Sequence, residues 1–205
     1  MKNLPDIIPI FPLSGVIYFP KTNLPLNIFE PRYLDLVNDT YKKDKLMGMV
    51  QSQKEKNKVY KIGCLGKISD IQKNKDGRIL INLTGITRFE ILEEIENSKL
   101  YREFKVDYKR YNLDLETKTE EVNTFSLMEK AQPFFRKNGL LLNWNEFDKL
   151  DERQKIDTLA MIAPITNEEK QKLLEAMSLK QKVQTLEDIL TFYLHEVETV
   201  NRTVQ

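Results

Sequence analysis

The most informative stretch of this chain reads IPIFPL at residues 8–13, YFP at 18–20 and LPLNIFEPRY at 24–33. Its prolines at 9, 12, 20 and 25 each fix φ and remove a backbone donor, which excludes regular helix and interrupts central strands. The apolar residues between these prolines are too numerous for a solvated loop, so they must pack into a core. Short extended segments at the edge of a small barrel satisfy both conditions.

A strand-to-helix corner is predicted where this stretch ends. Pro31 suits the first position of a helix, and the apolar residues at 33, 34, 36 and 37 give that helix one buried stripe. The charged residues Glu30 and Arg32 flank the proline. We interpret them as an ion pair or capping contact that fixes a structural corner, and a ligand contact is the alternative.

The remainder of the first half has the alternation of β-strands. Strands are predicted at 47–52, 62–71, 79–83, 89–91 and 101–108. The Asp76-Gly77 pair favours a hairpin turn before the strand that starts at 79. Strands of this number and length, with a single early helix, are best closed into a small β-barrel.

The second half has helical spacing. Four helices are predicted, the first ending at Gly139, the second before Pro164 and the last spanning 179–197. Capping boxes mark the starts of the first three, at Thr117 with Glu120, Asp151 with Gln154, and Thr166 with Glu169. The predicted fold class is therefore α+β, with a β-barrel subdomain at 1–111 and a four-helix bundle at 112–205.

Composition sets the outer bounds. The chain has 205 residues, of which 40% are hydrophobic and 31% charged, an ordinary globular mixture. No apolar run is long enough to span a bilayer, and prolines stand where the apolar core of a signal peptide would be. The single cysteine, Cys64, excludes an internal disulfide and a thiolate metal cluster. We therefore expect a cytoplasmic protein.

Charge is distributed unevenly. Residues 1–111 hold 20 Lys and Arg against 14 Asp and Glu, a net charge of +6, whereas residues 112–205 carry −5. The basic excess is concentrated between 42 and 78, where phosphate contacts are conceivable. The candidate nucleic-acid contacts there are Lys54, Lys56, Lys58, Lys61, Lys73, Lys75 and Arg78. A solvated hairpin surface is the alternative, and only Tyr60 interleaves with these lysines as a stacking platform.

The chain resembles the Lon N-terminal (substrate-binding) domain family. The resemblance starts in the proline-rich stretch, where FEPRY at 29–33 is its most specific motif, and continues through IGCLGKI at 62–68, DGR at 76–78, LTGITRF at 83–89 and EKQKLLE at 169–175. It implies a barrel similar to the PUA fold, followed by helices, in a free-standing member of the family. Two positions depart from the pattern: Lys21 stands where the family commonly has glycine, and Asn27 where it often has histidine.

The sequence offers no catalytic, metal or cofactor site. It has no phosphate-binding loop of the form G-x-x-x-x-G-K-S/T, and its only histidine, His195, has no serine or cysteine nearby in sequence. Carboxylate pairs such as Glu93-Glu94 lack metal-ligand spacing. The lone Trp144 is interpreted as a packing residue. We predict that the chain is not an enzyme and needs no cofactor.

Three functions remain. The resemblance implies binding of unfolded or degron-bearing polypeptides, by strand addition at a barrel edge or through apolar side chains in a groove. RNA binding through the basic residues is the alternative, and a purely structural adaptor role is the third. The candidate partner-binding residues are the aromatics of the proline-rich stretch, which could equally all be core: Phe11, Tyr18, Phe19, Phe29 and Tyr33.

Overall fold

The computed structural model describes residues 4–55, 57–116 and 121–203, with side chains up to His195 in the last helix. The chain forms two compact units, Met1–Thr117 and Lys118–Gln205. We call them the sheet unit and the helical unit. Within the described residues, no helix is both long and apolar enough to cross a membrane.

The sheet unit contains a six-stranded mixed sheet with the order β2-β5-β4-β3-β1-β6. β1 and β3 are parallel and all other neighbours are antiparallel. β5 also pairs with β6, so the pairings run from β5 through β4, β3, β1 and β6 back to β5. The strands are β1 Ile7–Leu13, β2 Asn23–Ile28, β3 Leu46–Gln51, β4 Ile62–Lys73, β5 Ile79–Ile95 and β6 Arg102–Asp107. The predicted α+β class is confirmed.

Apolar residues from several strands meet in one core. Alternate positions of β1, β5 and β6 point inward, as the period of two requires. The members of this core include Ile8, Ile10, Val50, Leu65, Phe89, Phe104 and Val106. Helix α1, Pro31–Tyr41, starts with its proline in the first turn as predicted and buries Tyr33, Leu36 and Val37.

β5 is the longest strand and organises the sheet. β4 pairs along one of its edges, while β2 covers residues 79–84 and β6 covers residues 90–95 of the other edge. The turn between β4 and β5 contains Gly77 at φ +86°, which confirms the predicted Asp-Gly hairpin. After β6, the 3₁₀ segment Lys109–Leu115 packs against β5.

The helical unit contains five helices in its described residues: α2 Phe125–Lys137, α3 Trp144–Phe147, α4 Glu152–Ile162, α5 Asn167–Glu175 and α6 Leu179–Thr203. The capping boxes at Asp151 and Thr166 are confirmed by reciprocal side-chain hydrogen bonds. The predicted box at Thr117 and Glu120 lies outside the described residues, and α2 starts later than predicted. The one-turn helix α3 was not predicted, although Asn143 caps it by accepting from the Glu146 N–H.

Candidate functional site

The five aromatic residues predicted as partner contacts occupy two different environments. Phe29 has 64% of its surface exposed. The other four are at most 6% exposed and lie in the interior of the protein: Phe11, Tyr18, Phe19 and Tyr33. They fill the core, which was the alternative interpretation of these aromatics. Of the five, only Phe29 is exposed enough to contact a partner without rearrangement, and partner contact itself stays a prediction.

Specific contacts hold the buried aromatics in place. The rings of Phe11 and Tyr33 lie 4.3 Å apart with their planes tilted by 48°. The Tyr18 hydroxyl donates to the Cys64 carbonyl at 3.0 Å, and burial, with a smaller contribution from Cys64, raises the pKa of Tyr18 well above its usual value. These side chains cannot turn outward without opening the sheet unit.

Phe29 belongs to an exposed, partly apolar surface formed by β2 and β5. Positions 24, 26 and 28 are half-buried or buried, whereas 23, 25, 27 and 29 are exposed. The antiparallel register places Pro25 opposite Asn82 and Asn27 opposite Leu80, whose side chain is 39% exposed. Residues directly opposite in an antiparallel pair lie on the same side of the sheet. We call the surface that contains Pro25, Phe29 and Leu80 the outer face.

The free edge of β2 is poorly suited to strand addition. In the described part of the chain β2 pairs only with β5. The Gly85 N–H donates to the Thr22 carbonyl, so the alternation of antiparallel pairs puts Pro25, three positions on, at a site whose nitrogen faces away from β5. A proline there offers no donor to an incoming strand. Contacts on the outer face must therefore come mainly from side chains.

The predicted ion pair at the strand-to-helix corner is present. Arg32 donates to Oε2 of Glu30 from Nε at 3.0 Å and from Nη2 at 2.8 Å. The guanidinium also lies 4.5 Å from the ring centre of Tyr33. The two charged side chains are 53% and 44% exposed, so the pair is more solvated than a partly buried contact would be. Its role as a structural corner, rather than a ligand contact, remains a prediction.

The candidate nucleic-acid contacts are split between the two ends of β4. Lys54, Lys58 and Lys61 precede the strand, whereas Lys73 is its last residue and Lys75 and Arg78 lie in the turn that follows it. A strand of this length separates its ends by about 36 Å. Lys56 lies outside the described residues. The six described residues therefore do not form one continuous basic patch.

Acidic neighbours already contact two of these residues. Arg78 pairs with Asp76 at 2.6 Å, and Lys58 pairs with Glu55. Hydrogen bonds from Arg78 lower the pKa of Asp76, so that carboxylate stays charged beside the arginine. Nothing in this arrangement favours a phosphate-binding surface.

A small pocket lies between β1, the end of α1 and β6. It has a volume of about 70 Å³, and its lining includes Pro5, Ile7, Asp39, Thr40 and Tyr101. The Tyr101 hydroxyl donates to Asp39 at 3.0 Å. A volume of this size accommodates a few water molecules. It is too small to receive an extended polypeptide.

Within the described residues no group of three His, Cys, Asp or Glu side chains is placed to hold a metal ion. Cys64 is buried in β4, and His195 is exposed on α6. Trp144 packs edge-on against Phe147 and Phe135 inside the helical unit. That contact agrees with the interpretation of Trp144 as a packing residue.

Sequence reasoning missed the contribution of Pro25 and Leu80 to the outer face. Leu80 lies on the same side of the sheet as Pro25 because the β2–β5 register places Asn27 opposite Leu80, and these residues are far apart in the sequence. A usable signal was present, because Ile28 ends a strand of alternating burial and the next residue, Phe29, must then point outward. Counting aromatics alone could not reveal this direction.

The comparisons with known proteins decide the family. The model of the ATP-dependent protease La (LON) substrate-binding domain matches residues 7–191. This chain belongs to that family. The family resemblance expected from the sequence is therefore confirmed over most of the chain.

This chain matches only part of the length of its relatives among the Lon proteases. It is 24% identical to the Lon protease of Syntrophus aciditrophicus over 209 residues, which cover 95% of this chain and 26% of that protein. The Lon protease of Flavobacterium johnsoniae is 31% identical over 100 residues, 46% of this chain and 12% of that protein. The chain thus spans about a quarter of the length of the Syntrophus relative.

Solved structures share the fold. The Lon N-terminal domain protein from Xanthomonas campestris has a TM-score of 0.65 at 20% identity, covering 88% of this chain and 96% of that one. The N-terminal domain of the Mycobacterium avium complex Lon protease has a TM-score of 0.64 at 14% identity, covering 90% and 98%. The overall fold is that of a Lon N-terminal domain.

Proposed function

We propose that this protein is a non-catalytic module that binds unfolded or degron-bearing polypeptide in connection with protein degradation. The observation that carries the proposal is the match of the LON substrate-binding domain to residues 7–191. We further propose that it works in the cytoplasm, that the circuit of strand pairings from β5 back to β5 is a small closed, PUA-like barrel, and that α2, α4, α5 and α6 form a bundle.

The binding surface in this proposal is the outer face. An exposed aromatic is the kind of side chain that anchors a partner, because it buries a large apolar area on contact. Phe29 supplies this anchor, and Leu80 and Pro25 extend the apolar area beside it. Pro25 removes a donor from the adjacent edge, so we expect side-chain capture of the polypeptide rather than strand addition.

The experiment measures binding of a fluorescently labelled, unfolded casein by anisotropy. We compare Phe29→Ser and Leu80→Ser with Leu100→Ser, a matched control. Leu100 is 65% exposed in the β5–β6 connection, at the opposite end of β5 from Leu80. Loss of an aromatic anchor typically costs about 2 kcal/mol or more, so Phe29→Ser should weaken binding about 30-fold.

The expected result also requires that Leu80→Ser weaken binding and that Leu100→Ser change the Kd less than about twofold, with all three variants melting like the parent. Equal affinities for Phe29→Ser and Leu100→Ser would remove the outer face from the proposal. Absence of any casein binding by the parent protein would contradict the proposed function itself.

A module of this kind should have no ATPase or peptidase activity of its own. The purified chain should release no phosphate from ATP and no peptides from casein above a buffer control. Activity that co-purifies with the protein and is lost on changing a residue of this chain would contradict the non-catalytic role.

A further inference from the structure

One edge of β5 has a gap in its strand pairing. β2 ends its pairing at Thr84, and β6 starts at Glu90 on the same edge, so no strand among the described residues pairs with 85–89 there. The turn before β2 fills the first part, because the Lys21 N–H donates to the Gly85 carbonyl and the Gly85 N–H to the Thr22 carbonyl. Buried backbone groups require such partners.

Asp114 fills the second part of this gap. Its Oδ2 accepts a hydrogen bond from the backbone N–H of Arg88 at 3.0 Å. The carboxylate comes from the 3₁₀ segment and stands where a carbonyl of a neighbouring strand would otherwise stand. A strand-edge donor is thus satisfied by a side chain.

The Arg88 side chain neutralises that same carboxylate. Its Nε donates to Oδ2 of Asp114 at 2.9 Å and its Nη2 to Oδ1 at 2.8 Å. The side chains of Arg88 and Asp114 are 6% and 1% exposed. The guanidinium also lies 4.3 Å from the ring centre of Tyr111, which is buried in the same 3₁₀ segment. Bidentate hydrogen bonds between charged groups are stronger than those between neutral groups, and this pair is shielded from water.

The far end of the 3₁₀ segment is joined to the turn before β2. Lys21 Nζ donates to the Glu116 carbonyl at 2.7 Å. The two elements that fill the gap in the β5 edge are therefore connected to each other. The Arg110–Glu90 pair, at 3.8 Å and on an exposed surface, is a weak contact of the same segment.

We propose that the 3₁₀ segment is an edge cap of β5, in which Asp114 replaces a missing strand and Arg88 acts as the positioning residue that holds it. The cap anchors the chain to the sheet as far as Glu116. It is independent of the proposed polypeptide binding.

The charge of Arg88 is secure under ordinary conditions. Burial lowers the pKa of Arg88, but the hydrogen bonds and negative charge of Asp114 outweigh it, so the pKa is raised above its usual value. The guanidinium does not titrate near neutral pH, and the cap is a permanent element rather than a pH switch.

The test compares amide hydrogen exchange in the parent chain of 205 residues and the Asp114→Ala variant by NMR. The Arg88 amide should exchange at least about tenfold faster in the variant, because it has lost its acceptor. The Ile91 amide provides an internal reference, since it lies in the same strand and donates to the Lys61 carbonyl on the opposite edge. Loss of the buried pair also destabilises the sheet unit, so the Ile91 amide should accelerate as well, but at least about tenfold less than the Arg88 amide.

Trypsin cleavage gives a second measurement, because Lys109 and Arg110 lie at the start of the cap. Cleavage there should accelerate about tenfold in Asp114→Ala. Glu90→Ala is the matched control: it removes a carboxylate that contacts the same segment, but an exposed one, and should leave both readouts unchanged. Should Asp114→Ala fail to fold, Asp114→Asn keeps an oxygen for the Arg88 N–H and should show a smaller acceleration of cleavage.

Unchanged Arg88 exchange in Asp114→Ala, or equal acceleration at Arg88 and Ile91, would overturn the proposal. The second outcome would mean that the pair supports the whole unit and caps no particular edge. Cleavage of the Asp114→Asn variant at the parent rate would also contradict the proposal, because the 3₁₀ segment would then stay in place without the charge that Arg88 binds.

Discussion

Two arginine–carboxylate pairs in the sheet unit have similar geometry and very different surroundings. Arg32 and Glu30 are two residues apart, and both are about half exposed. Arg88 and Asp114 are 26 residues apart and almost fully buried. An exposed pair gains little because water competes for both charges, whereas removing one partner of a buried pair leaves an uncompensated charge. Burial, rather than hydrogen-bond geometry, therefore decides how much each pair matters.

Arg88→Met, which removes the cation of the buried pair, has the largest expected effect. We expect this change to lower the free energy of unfolding of the sheet unit by about 3–5 kcal/mol, because the Asp114 carboxylate remains buried without its cation. Urea denaturation followed by circular dichroism measures the effect. A loss below about 1 kcal/mol would place the pair in the same class as Arg32–Glu30.

The double variant Arg88→Met/Asp114→Leu separates the two roles of Asp114. Removing both charges should recover much of the lost stability, since no ion is then stranded. Recovery should stay incomplete by roughly 1–3 kcal/mol, because the Arg88 backbone N–H has lost its acceptor as well. A double variant as stable as the parent would show that the backbone contact contributes nothing.

The helical unit contains an ion pair whose exposure lies between those of the two arginine pairs. Lys130 and Ser126 on α2 donate to Glu187 on α6, whose side chain is 20% exposed. Hydrogen bonds from Lys130 and then Ser126 lower the pKa of Glu187 below its ordinary 4.5. A lowered carboxyl pKa adds stability above the unfolded value, and this stability is lost as the pH falls through the folded value.

Glu187→Gln should therefore cost about 1 kcal/mol at pH 7 and progressively less as the pH falls through the folded pKa of Glu187, where the parent's carboxylate becomes protonated. Unfolding free energies over a series of acidic pH values measure this difference. Glu146→Gln is the control, because Glu146 pairs with Lys149 on an exposed surface, at 64% and 69% exposure. A gap between Glu187→Gln and the parent that does not shrink in acid would contradict the assignment.

The turn at Lys21, which contacts the end of the 3₁₀ segment, should contribute less to stability than the ion pairs above. Lys21 has φ +66°, a left-handed conformation that is strained for a side chain, at a position where glycine was expected from the family pattern. Its Nζ contact with Glu116 offsets part of that strain. Lys21→Gly should match or exceed the parent in stability, whereas Lys21→Ala, which keeps the strain and loses the contact, should lose about 0.5–1 kcal/mol. Thermal melts of both variants decide between these contributions, and a Gly variant less stable than the Ala variant would contradict them.

Local patterns predicted most elements of the fold. Pro31 marked the start of α1, Asp76-Gly77 the hairpin, and Asp151 and Thr166 two helix starts, because each signal acts within four residues. The Arg88–Asp114 pair was not predicted from the sequence, because its partners come from different elements and no local periodicity links them. The outer face was not predicted in full for the same reason, since only the β2–β5 register, which places Asn27 opposite Leu80, shows that Leu80 lies on this side of the sheet. Aromatic density was misleading, because core and partner contacts use the same residues.

The exposed corner gives the smallest expected effect. If the predicted corner contact were partly buried, Arg32→Ala would cost about 1 kcal/mol or more. Because both side chains are about half exposed, the expected loss of stability falls to about 0–1 kcal/mol. A loss near 1 kcal/mol would include the contact of the guanidinium with the Tyr33 ring. Arg32→Lys keeps the charge but loses the two-nitrogen contact with Glu30, so its stability should lie between those of the parent and Arg32→Ala.

Chemical denaturation in low and high salt distinguishes the two contributions of Arg32, because salt screens the ion pair and leaves the packing on Tyr33. A loss above about 2 kcal/mol would show that exposure does not govern this pair. An unchanged stability with weakened casein binding would instead assign Arg32 to the polypeptide contact beside Phe29.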